Sequence, residues 1–96
     1  MSYKVSIEAQ AGRELEDAAI WYEERAKGLG NKFIDAFLAV VNNLETHPFA
    51  YAIFTGEYRQ VLMKVFPFVV VYKVEGDKVR IIAVFHTSRN PQIKLR

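Results

Sequence analysis

Apolar and polar residues alternate in YKVSI near the start of the chain, and its β-branched and aromatic content predicts a short first strand. From Ala9 to Lys27 the period changes. Ala11, Leu15, Ala18, Ala19, Tyr22 and Ala26 recur at three-to-four spacing, the stripe of an amphipathic helix. KGLG stops it, because Gly28 accepts the left-handed backbone that ends helices. The start is weaker. Glu8 is a poor N-cap and Gly12 softens the first turn, while Glu14, Glu16 and Asp17 favour the positive end of the helix dipole. A second helix is predicted over Leu29 to Thr46, with Phe33, Ile34, Phe37, Val40, Val41 and Leu44 on one face. The pair His47–Pro48 ends it, since the residue before proline is pushed out of the α region.

After the loop PFAYAIFTG the chain turns to strand-like runs. Three strands are predicted, Tyr58 to Val65, Phe68 to Val74 and Val79 to Phe85, with Pro67 dividing the first two and EGDK turning between the last two. VVVYKV is nearly all apolar, as a central strand covered on both faces would be. The expected fold is α+β with order β-α-α-β-β-β: a helical hairpin packed on a small antiparallel sheet.

The 96 residues fit a single domain, 1–96. Half of them are apolar and a quarter charged, which is globular rather than disordered composition. Cysteine is absent, which excludes disulfides and thiolate metal sites. No apolar run approaches the ~20 residues of a membrane span, and the first residues lack the layout of a signal peptide, so a cytoplasmic protein is expected. Net charge is +2, but residues 1–56 carry −3 and residues 57–96 carry +5. A basic C-terminal layer favours an anionic partner.

WYEERAKGLGNKF, then THPFAY, then EYRQVLMKVFPFVVVYKVEGDKVRIIAVFHTSRNP together resemble the RelE/ParE superfamily of toxins from type II toxin–antitoxin systems. The specific pieces are the aromatic-tyrosine pair before GLG, P-x-x-Y after the second helix, YR opening a strand, FP(F/Y)-x-x-x-Y, and H-x-x-R-x-P. Each is short, and their order and spacing over nearly the whole chain carry the likeness. The resemblance implies a toxin silenced by a protein antitoxin. RelE-like members cut mRNA in the ribosome, whereas ParE-like members, the plasmid stabilisation type, inhibit DNA gyrase. The long hairpin and the H-x-x-R-x-P ending look more ParE-like.

For RNA cleavage a base, phosphate-holding cations and an acid are required. Arg59, Lys64, His86 and Arg89 supply candidates, with the arginines suited to phosphate and His86 to proton transfer. No aromatic follows His86, so the tail lacks the extra tyrosine or histidine that RelE-like nucleases place there. His86 also reads as a hydrogen-bonded strand end. Arg59 reads equally as a partner of Glu57 or Asp35, or as a binding residue. Lys73, Lys78 and Arg80 read as charged edge residues that discourage strand pairing. Two histidines make a metal site improbable, and His47 faces a helix C-terminus.

Ile20 and Trp21 fall off the core stripe of the first helix. Trp21 is expected under the loop of Phe49–Phe54, and Ile20 against a partner. The residues expected to meet target or antitoxin are thus Arg59, Arg80, His86, Arg89, Ile20 and Trp21. Three functions remain open: a gyrase-directed toxin, a ribosome-dependent mRNA endonuclease, and a non-toxic relative that only binds antitoxin. None requires a cofactor.

Overall fold

The structure is a computed structural model in which residues 2–88 are described. Five strands and two helices follow in the order β1 (Lys4–Ile7), α1 (Ala9–Arg25), α2 (Leu29–Thr46), β2 (Ile53–Thr55), β3 (Tyr58–Leu62), β4 (Phe68–Glu75) and β5 (Lys78–His86). The α+β order and helical hairpin agree with expectation. The sheet has one more strand than the pattern predicts and is mixed, with spatial order β1-β5-β4-β3-β2. The strand β1 runs parallel to β5, from Lys4 beside Lys78 to Ile7 beside Ile81. All other neighbours are antiparallel.

Both helices lie on one face of the sheet. Their buried residues Ala11, Ala18, Phe33, Phe37, Val40 and Leu44 meet Val61, Val70, Tyr72, Val79, Ile81 and Val84 from the strands. Alternation sends the other residues of the same strands to the opposite face, where Val71, Ile82, Ala83 and Phe85 form a second buried cluster. This accounts for the nearly continuous apolar run in β4.

Three local features depart from the sequence reading. Helix α1 ends at Arg25 rather than Lys27, because Ala26 turns extended and leaves the core stripe exposed at its last position. Gly28, with φ +89, is left-handed as expected but serves as the N-cap of α2. Its missing side-chain cap is supplied from α1: the Glu23 carboxylate accepts the Gly28 N–H at 2.9 Å and the Gly30 N–H at 3.0 Å. Two orphan donors at the positive end of α2 therefore meet a negative charge. Gly30 is required by the close approach of the helices. A Cβ there would lie 2.7 Å from the Ala19 carbonyl oxygen.

The second feature is a bulge. Val71 pairs with Ala83 but Tyr72 pairs with Ile81, so β5 holds one extra residue at this point. The shift is accompanied by a bond from outside the sheet, the Val84 N–H donating to Glu14 of α1 at 3.0 Å. Glu14 thus tethers α1 to the sheet rather than acting in the first helical turn.

The third feature is the connection from β3 to β4, where β3 stops at Leu62 instead of Val65. Met63 donates its N–H to the Phe68 carbonyl at 2.9 Å, and the chain between them bulges outward. Phe66 turns inward against Tyr22 and Phe33, with ring centroids 4.8 and 5.2 Å away. Val65 faces solvent with φ +73.

Candidate functional site

The sequence-selected side chains are distributed over three places. Arg59 of β3 stands opposite Tyr72 of β4. Its Nη1 donates to the Tyr51 carbonyl at 2.7 Å and the Phe49 carbonyl at 3.3 Å, and the guanidinium lies 5.2 Å from the Phe49 ring. Tyr72, fully buried, donates its hydroxyl to the Pro48 carbonyl at 2.6 Å. Two neighbouring side chains therefore fasten the loop that follows α2. Burial pushes the Tyr72 phenol up to about 12, partly opposed by the charge of Arg59. The carboxylate partners expected for Arg59 are replaced by backbone carbonyls: Glu57 instead pairs with Lys73 at 3.5 Å. Three of the motifs singled out in the sequence, P-x-x-Y, YR and the tyrosine closing FP(F/Y)-x-x-x-Y, meet in this loop clamp.

Arg80 lies on the sheet face away from the helices, in ion pairs with Glu8 and with Glu75, the latter at 3.3 Å. The edge reading of Lys73, Lys78 and Arg80 is corrected here. Strands β4 and β5 are interior to the sheet, and its edges are β1 and β2. Lys73 and Arg80 instead share a network in which Lys73 also reaches Glu75 at 3.5 Å, while Lys78 is exposed. Glu57 is the main cause that holds the Lys73 ammonium above its ordinary value.

His86 closes β5 with its ring edge-on to Phe68, 5.2 Å between centroids. Its Nδ1 accepts the Ser88 N–H at 3.0 Å and lies 2.7 Å from Ser88 Oγ. Thr87 donates its N–H to the Pro67 carbonyl at 2.8 Å, which sets His86 at the same end of the sheet as Lys64. Arg59 is five residues back from Lys64, roughly 16 Å along an extended chain. Arg59, Lys64 and His86 are not brought onto one phosphate-sized position. Arg89 lies outside the described residues.

On α1, Ile20 is half exposed, as the off-stripe position predicts. Trp21 is 49% exposed and not covered by the 49–54 loop. Its ring partners are its own neighbours, the Arg25 guanidinium at 4.1 Å and the edge of Tyr22 at 5.1 Å. The loop is drawn away by Arg59 and Tyr72. Burial of Tyr22 among Phe33, Phe66 and Phe68 raises its phenol pKa.

Pattern reading missed the exposed apolar set on the last strands. Leu62 is 61% exposed, and an apolar groove of about 500 Å³ runs beside it, lined by Tyr51, Ala52, Gln60, Val61, Leu62 and Val69. The groove holds no carboxylate, histidine or lysine, so it suits an apolar side chain and not proton transfer. Among the described residues no cluster of acids and histidines could hold a metal ion, and no helix is long and apolar enough to cross a membrane.

The model of the family "ParE toxin of type II toxin-antitoxin system, parDE" matches residues 5–91. Solved structures share the fold at low identity. The chromosomal ParDE TA system from P. aeruginosa aligns with TM-score 0.76 and 15% identity over 91% of this chain and 98% of that chain. The archaeal RelE-RelB complex from Pyrococcus horikoshii gives 0.56 and 19% over 93% and 99%. The isolated E. coli RelE toxin gives 0.55 and 15% over 93% and 88%. No curated protein matches.

Proposed function

The chain belongs to the ParE toxin family of type II toxin–antitoxin systems, and on that premise we propose that it arrests growth by binding and inhibiting DNA gyrase, held in check by a protein antitoxin. The observation that carries this reading over mRNA cleavage is the separation of the candidate catalytic groups. Cleavage through the 2′-hydroxyl needs a proton-transfer group and a cation within a few ångströms of one phosphate. Arg59 is committed to the Phe49 and Tyr51 carbonyls, while the His86 Nδ1 is committed to Ser88 some strand-length away. Such side chains support a binding scaffold better than a nuclease centre.

An antitoxin partner accords with the ParDE and RelE-RelB assemblies that share the fold. The apolar groove beside Leu62 suits the apolar residues of an extended or helical antitoxin segment. Acidic antitoxin residues would add attraction to the basic second half of the chain.

The test is a supercoiling assay with purified gyrase beside a translation reaction whose mRNA ends are mapped. Loss of supercoiling with intact mRNA is the expected result. Defined cuts at ribosome-bound codons, abolished by His86→Ala, would replace this reading with the endonuclease one. Induced expression that leaves colony counts unchanged would assign the chain to a non-toxic, antitoxin-binding role.

A further inference from the structure

One end of the molecule combines a strained apolar tip with positive charge that is in no ion pair among the described residues. Val65 is the one non-glycine residue with positive φ among the described residues, at +73. For a β-branched side chain that conformation is a genuine outlier. Its side chain is 95% exposed, so no packing offsets the strain. The neighbouring positions show what the turn itself requires. Phe66 fills the core beneath, Met63 closes the loop onto Phe68, and the Phe68 N–H donates to the Phe66 carbonyl at 2.8 Å. A glycine at position 65 would meet all three requirements without strain. The valine is a cost to the monomer, and strain of this kind concentrates where a surface acts on something else.

The surroundings define what the tip can meet. Tyr22 packs against both Phe66 and Trp21, which places the turn of the helical hairpin beside the tip. Arg25 ends α1, Lys27 lies in the turn, Lys32 lies in the first turn of α2, and the tip carries Lys64. None of the four is in an ion pair among the described residues. Of the nearby acids, Glu23 is turned inward onto the Gly28 and Gly30 N–H groups. The hairpin end and the tip thus bring four cations to the end of the molecule that carries the aliphatic prong.

We infer that the β3–β4 tip, with Val65 as the inserted residue and Lys64, Arg25, Lys27 and Lys32 around it, is the surface that docks on the toxin's protein target, in an apolar pocket rimmed by carboxylates. This rests on the reading of the chain as an inhibitor of a protein target. A nucleic acid fits less well. A base would stack on an open aromatic face, but Trp21 already carries the Arg25 guanidinium, and the prong is a small aliphatic group. The anchoring of Phe66 keeps the tip rigid, so little order is lost when it inserts.

Two variants test it, Val65→Asp and Val65→Gly, each assayed for supercoiling inhibition by purified gyrase, for growth arrest on induction and for Tm. Val65→Gly removes the prong while relieving the backbone, so its Tm should equal or exceed that of the parent. Both variants should inhibit supercoiling about tenfold less well than the parent, the loss of a buried hot-spot side chain. A Val65→Gly chain that inhibits as well as the parent overturns the inference. If the parent does not inhibit gyrase, the gyrase reading fails and the tip is judged by growth: arrest by the parent but not by Val65→Gly upholds it, and equal arrest overturns it. A parent that does neither also overturns it. So does a mobility shift of DNA or RNA that depends on Val65, because the tip would then serve a nucleic acid.

Discussion

Arg59 and Tyr72 face each other across β3 and β4 and hold the same four-residue loop, one through the Phe49 and Tyr51 carbonyls and the other through that of Pro48. Both donors lie under a loop that would otherwise have unsatisfied carbonyls next to the core. Tyr72→Phe should cost about 1–3 kcal/mol, the desolvation of an orphaned acceptor. Arg59→Ala should cost a similar amount, and a double-mutant cycle in denaturant should show coupling of at least ~0.5 kcal/mol. Independent, additive effects would mean that the loop is not shared.

The same tyrosine gives the fold a defined alkaline limit. Its folded-state pKa, about 12, lies above the reference value of 10.0. The phenol's contribution is therefore complete below pH 10 and is lost as pH rises toward 12, since the unfolded chain releases the proton first. Denaturant midpoints across that window should fall for the parent and fall less for Tyr72→Phe.

Gly30→Ala sets two effects against each other. Alanine improves helix propensity by ~1 kcal/mol. Its Cβ, however, would sit 2.7 Å from the Ala19 carbonyl, a backbone atom that moves only if the helices separate. Overpacking of this kind typically costs ~1–3 kcal/mol, so a net loss is expected. Glu23→Ala should lose about 1 kcal/mol by uncapping α2, and Glu23→Gln less, because the amide oxygen still accepts. Thermal melts of the three variants give the ranking.

Glu14→Ala should be the most damaging change of an acid on α1. It removes the acceptor of the Val84 N–H at the β5 bulge and with it a tether between helix and sheet. A loss of ~1–3 kcal/mol is expected, with faster amide exchange at Val84 than at its neighbours.

Val65→Gly should stabilise. Relief of a left-handed conformation is worth ~1–2 kcal/mol, and the extra freedom of an unfolded glycine takes back ~0.5–1 kcal/mol. A midpoint shift upward in denaturant, with unchanged slope, is the expected signature.

The two helices were legible from a sustained 3.6 period along α1 and α2, and the last three strands from apolar, β-branched runs bounded by Pro67 and EGDK. The strand β2 was not. Its three residues are too few to show alternation, and Ile53 and Thr55 at its ends are exposed. The parallel pairing of β1 was invisible because a short alternating strand does not encode its neighbour. The site residues were legible as residue types and not as roles. Nothing in YR distinguishes a guanidinium on phosphate from one on two carbonyls, and the choice was made by a loop ten residues away. Trp21 was misplaced for the same reason, since that loop is fastened elsewhere. In the sequence Glu14 reads only as a dipole partner of its own helix and Glu23 does not stand out, because a helix-surface acid looks the same whether it faces water or a distant amide.

The strand β5 occupies an inner place in the sheet, between β4 and the first strand of the chain. Residues 4–7 have no strand to pair with until residues 78–81 exist. On the translating ribosome the hairpin and the early strands emerge first and wait, with the face that β5 will cover still open. The sheet therefore closes in one late step, when β5 enters between β4 and β1, and until then the chain offers an open apolar face instead of a finished surface.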